Sequence, residues 1–120
     1  MNFYLIIIYN LKESHWLIYD LNMEKIKNTL VEILKIASTH FQVSHKFLYP
    51  IRQMIKLLDK KFVFKSYTLP VSERLPLTSA SRIDMFNLLY TIDIPDTTDE
   101  VSGKMKYYFT QFESGIYEYE

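Results

Sequence analysis

The chain has 120 residues, close to the commonest domain size, and its 48% apolar content with ten Tyr and eight Phe is ample for one core. Formal net charge is zero and there is no cysteine. These facts argue against disorder and exclude disulfide scaffolds, thiolate metal sites and cysteine nucleophiles. With only two Gly and four Pro, a low-complexity reading fails and a glycine-built phosphate loop is hard to make.

Residues 3–9 are almost continuously apolar and predict a strand covered on both faces. The segment is too short to span a bilayer, which takes about 20 helical residues. It also lacks the positive flank of a leader, so the cytoplasm is the expected compartment. Polar residues 10–15 predict a turn, and Trp16-Leu17-Ile18-Tyr19 a second strand or the start of the following helix. The first helix is capped by Asp20 or Asn22, with Ile26, Leu30, Ile33, Leu34 and Ala37 on one face. Phe47, Ile51, Met54, Ile55 and Leu58 repeat that spacing in a second helix. There Pro50 is either the first helical residue or follows a separate turn over residues 44–49.

Lys61–Leu69 is aromatic and β-branched and predicts a strand stopped by Pro70, followed by an extended connection over residues 70–77. Ser81 and Asp84 resemble a capping box for a third helix with an Ile83, Phe86, Leu89, Tyr90 stripe. An acidic loop follows over residues 93–103. Lys104–Phe112 and Ile116–Tyr119 then predict a closing hairpin, with Gly115 taking positive φ in the turn. The expected fold is a single α+β domain over residues 1–120, of order β-β-α-α-β-α-β-β. Its sheet is antiparallel or mixed, with helices packed on one face.

No catalytic, cofactor or metal motif emerges. His15, His40 and His45 lack ligand spacing and read as exposed or capping residues. Asp93, Asp96, Asp99 and Glu100 lack the alternation of a calcium loop and read as a solvated acidic loop. Charge is uneven: residues 23–65 carry nine Lys/Arg against Glu24, Glu32 and Asp59, whereas residues 91–120 carry two Lys against seven carboxylates. Internal neutralisation between packed halves is the plainer account, and separate basic and acidic surfaces the functional one.

Two surfaces stand out. On the second helix, His45, Tyr49, Arg52, Lys56 and Lys60 share one face, suited to an acidic protein or a nucleic-acid backbone, or simply to solvent. In the tail, Tyr107 and Tyr108 fall on opposite strand faces, and Tyr117 and Tyr119 share another, beside Glu118 and Glu120. The expected function is a small non-enzymatic protein-binding domain that inhibits or neutralises a partner protein. Toxin-immunity proteins, antitoxins and phage inhibitors of host defence are of this type. Tail tyrosines would anchor, while Asp96, Asp99, Glu100, Glu118 and Glu120 complement a basic partner such as a nuclease toxin. The alternatives are a nucleic-acid-binding module using the basic helix face and, further off, a metal-independent nuclease. Self-association through a sheet edge is a further expectation.

Overall fold

The computed structural model describes residues 23–94 and 99–118. Four helices make up the described fold: α1 over residues 23–38, α2 over His45–Leu58, α3 over Ser79–Leu89 and α4 over Glu100–Glu118. Short 3-10 turns at Phe64–Tyr67 and Val71–Glu73 lie in the connection from α2 to α3. The only β pairing among the described residues is an isolated parallel bridge between His40 and Leu75. The expected α+β sheet domain is thus corrected to a four-helix bundle, and the sheet edge through which copies were expected to pair has no counterpart among the described residues. The expected strands at residues 3–9 and 16–19 and the Asp20 or Asn22 cap lie outside the described residues.

On α1 the predicted stripe is realised, since Ile26, Leu30, Ile33, Leu34 and Ala37 are all buried. Lys27 reaches Glu24 at 3.3 Å and Asp59 at 3.5 Å, tying α1 to the end of α2. The α2 helix begins earlier than either reading of Pro50 allowed. Ser44 is its N-cap, with the hydroxyl accepting from the Phe47 amide at 3.2 Å, and the helix runs unbroken through Pro50. Proline forfeits one helical amide bond. Its ring compensates by joining Phe47, Leu48, Ile51, Met54 and Ile55 on the buried face.

Lys61–Leu69 is not a strand. The alternation that suggested one exists in burial, because Phe62 and Phe64 are half-buried with rings 5.0 Å apart while Val63 is 62% exposed. Among the described residues no strand offers a ladder, and the Phe62 amide turns back to the Asp59 carbonyl at 3.3 Å. Beyond it, the chain from Arg74 to Leu77 docks on the α1–α2 link. The Leu75 amide donates to the Thr39 carbonyl at 2.8 Å, His40 Nδ1 donates to the Pro76 carbonyl at 2.8 Å, and the Leu77 amide donates to Gln42 Oε1 at 2.9 Å.

Thr78, not Ser81, caps α3, accepting from the Ser81 amide at 3.1 Å. Of the expected stripe, Leu89 is buried and Phe86 half-buried, but Ile83 and Tyr90 are 57% and 55% exposed; Met85 takes the inward position instead.

The largest correction is the tail. Lys104–Phe112 and Ile116–Glu118 belong to one helix, and neither glycine has positive φ. Ser102, Met105, Phe112 and Ile116 are buried, with Tyr108 and Phe109 half-buried between them, a three-to-four-residue period. Asp99 starts the helix, its carboxylate accepting from the Ser102 amide at 2.7 Å. The tyrosines carry β propensity, but propensity yields to a long buried face. Near the start of α2, Phe47 meets Phe112 with ring centroids 5.1 Å apart and lies against Gly115. Near its end, Lys56 and Lys60 share a depression with Glu100 and Lys104. The two helices therefore run antiparallel.

Candidate partner-binding site

Because α2 and α4 are antiparallel, two surfaces that looked separate in the sequence come together. His45 and Tyr49 of the basic face and Tyr107 and Glu118 of the tail line one groove, joined by Lys46 and Lys106. Its volume is about 1220 Å³. That exceeds the roughly 300–1,000 Å³ of small-molecule pockets and suits an extended segment instead.

Two tyrosine rings line the groove, Tyr49 and Tyr107, and both pack against the ring of Tyr108. Tyr49 meets Tyr108 edge-on with centroids 6.2 Å apart, and Tyr107 meets Tyr108 at 5.3 Å. Tyr49 is 49% and Tyr107 60% exposed, so their faces remain open to a partner. Gln111 donates to the Tyr107 hydroxyl at 2.9 Å, one helical turn away, which fixes that ring on α4. Partial burial, followed by the neighbouring Tyr49, raises the Tyr108 hydroxyl above its ordinary pKa. It stays protonated at neutral pH and can donate.

Tyr117 points elsewhere. Its hydroxyl lies 3.0 Å from that of Tyr90, and its ring lies 4.6 Å from Phe86, making a second aromatic patch between α3 and α4. The carboxylates also disperse. Glu100 and Glu118 stand at opposite ends of a 19-residue helix, about 27 Å apart along its axis. Asp99 caps α4, and Glu100 binds Lys104 at 2.9 Å, which lowers the Glu100 pKa and raises that of Lys104. A joint acidic complement to a basic partner is therefore not assembled from these residues. Asp96, Tyr119 and Glu120 lie outside the described residues.

On the rest of the basic face, Arg52 and Lys56 approach the ring of Phe64, at 5.3 and 5.8 Å from its centroid. Lys60 is off the helix, because α2 stops at Leu58 and Asp59 is extended, yet it still lines the depression beside Lys56. The basic and acidic halves do pack, as α2 on α4. Among the described residues, however, no ion pair joins a cation of α2 to a carboxylate of α4.

Among the histidines, His45 is exposed as expected, whereas His40 is 7% exposed and bonded to Pro76. His15 lies outside the described residues. No group of three His, Asp or Glu among the described residues is placed to hold a metal ion, and no described helix is long and apolar enough to cross a membrane. Sequence reasoning missed Lys46, Lys106 and Gln111 in the groove and Phe64 as the ring beneath two cations. Helical spacing in the tail would have placed Gly103, Lys106, Tyr107, Thr110, Gln111 and Glu118 on one face. Compared with protein-family models, curated proteins and solved structures, the chain gives no match.

Proposed function

We propose that this chain is a non-enzymatic, cytoplasmic protein-binding domain that inhibits or neutralises its partner by occupying the partner's working surface. The observation that carries the reading is the open tyrosine wall of the α2–α4 groove, with Tyr49 and Tyr107 exposed beside Tyr108. Tyrosine supplies large contact area at low entropy cost and keeps a polar tip, so it is enriched where proteins meet. Lys46 and Lys106 outnumber Glu118 along the groove. The partner segment is accordingly neutral to acidic rather than basic.

The test uses the whole chain and its Tyr49→Ala/Tyr107→Ala variant as paired baits. A protein retained by the first and not the second is then purified and titrated calorimetrically against both. Loss of at least 10-fold in affinity, about 1.4 kcal/mol, supports the reading. A partner that binds both forms equally contradicts it.

A further inference from the structure

The groove leaves the far end of α2 unaccounted for. Arg52 and Lys56 sit one helical turn apart with their charged ends over the same Phe64 ring. Like charges at that spacing repel, and the aromatic ring beside both offsets part of the cost. Arg52 Nε is shielded from solvent and has no hydrogen-bond acceptor, and no carboxylate among the described residues pairs with either side chain. Lys56 and Lys60 line a shallow depression of about 430 Å³, with Lys104 facing them from α4. Its carboxylate, Glu100, is already bound by Lys104 at 2.9 Å. Asp59, beside Lys60 in sequence, is engaged by Lys27 and by the Lys61 amide. Lys56 and Lys60 thus line the depression with its one carboxylate paired to Lys104, and Arg52 stands one turn back from Lys56 on the Phe64 ring.

We propose that Arg52, Lys56 and Lys60 form a site for the phosphodiester backbone of a nucleic acid, bound without regard to sequence. Two features favour phosphate over an acidic protein. Lysine ammonium is strongly hydrated and is depleted from protein interfaces, where it must be stripped of water. Against phosphates it keeps part of its hydration, and binding is driven by release of condensed counterions. The Arg52 guanidinium, its plane held near the Phe64 ring, carries the planar fork that matches phosphate oxygens. The chain's zero net charge is no obstacle, since charges are screened beyond about 8–10 Å. Glu113 and Glu118 stand 13 or more residues along α4 from Glu100, roughly 20 Å or more away.

The experiment is fluorescence anisotropy of a labelled oligothymidylate with the whole chain across a salt series. Three contacts to a single strand predict a log–log salt slope near −2, hence roughly 15-fold weaker binding at four times the salt. Arg52→Gln/Lys56→Gln/Lys60→Gln flattens the slope and weakens binding at least 10-fold. Because Arg52 is half-buried, Lys56→Gln/Lys60→Gln serves as a second variant confined to exposed residues, and it removes about two-thirds of the slope. Tyr107→Ala leaves oligonucleotide binding within twofold, which separates this site from the groove. The proposal is overturned if the wild type does not bind, or if the glutamine variants keep its slope. It is equally overturned if polyglutamate binds through these lysines while the oligonucleotide does not, which would assign the site to an acidic protein.

Discussion

The ring of Phe47 packs on the backbone of Gly115, leaving 3.6 Å from its Cδ2 and Cε2 atoms to the position of an added Cβ. That is ordinary van der Waals contact, so Gly115→Ala fits. In a helix interior the change removes backbone freedom from the unfolded chain and adds about 0.5–1 kcal/mol of stability. Gly103, with open space around it, behaves the same way. Thermal melts should rise by about 2–5 °C for each substitution. A hairpin turn needing positive φ at Gly115 would instead lose stability.

Phe112 and Tyr107 sit on one helix and should behave oppositely. Phe112 is 1% exposed against Phe47, and Phe112→Ala is expected to cost about 3–5 kcal/mol in urea unfolding. Tyr107 is 60% exposed, and Tyr107→Ala is expected to change stability by about 0.5 kcal/mol or less while weakening partner binding. Equal costs at the two positions would mean the tyrosine wall is core rather than contact surface.

His40 holds two connections together. Replacing it with Ala removes the donor to the Pro76 carbonyl and is expected to cost about 1–3 kcal/mol. Amide exchange should then quicken at Phe41 and Leu75, whose amides bridge the same two segments. Exchange rates unchanged from wild type would show that the bridge stands without the imidazole.

The Tyr90 hydroxyl is pushed up to about 12, chiefly by its hydrogen bond with Tyr117, with desolvation and the nearby Glu113 adding to it. A raised phenol pKa favours the protonated form in the folded state. The associated stability is full below the ordinary value of 10 and declines between pH 10 and about 12. Ultraviolet titration should show a late-titrating phenol in the wild type that moves to lower pH in Tyr117→Phe. An unshifted titration would show that the pair does not form in solution.

The two central helices were legible in part because their apolar residues leave no other period. Ile26, Leu30, Ile33, Leu34 and Ala37 fit only a helix, and all are buried. The tail was not legible because two periods fit it. Met105, Tyr107 and Phe109 alternate, yet Met105, Phe112 and Ile116 also recur on a helical face. Tyrosine propensity and a glycine near the end tipped the balance towards strands, and only packing against Phe47 decides for the helix. The candidate residues fared likewise. His45, Tyr49, Tyr107 and Glu118 were all singled out, but their meeting in one groove depends on the α2–α4 pairing, which no local pattern encodes.

That pairing is the centre of the account, because it sets Tyr49 beside Tyr107 and Tyr108. The most direct measurement is a nuclear Overhauser spectrum of the whole chain with assigned Cα shifts. The account predicts cross-peaks from the Phe47 ring to the Gly115 α-protons and between the Tyr49 and Tyr108 rings, with helical Cα shifts running without a break through Glu113, Ser114 and Gly115. Absence of both cross-peaks, with strand-like shifts on either side of Ser114, would contradict it.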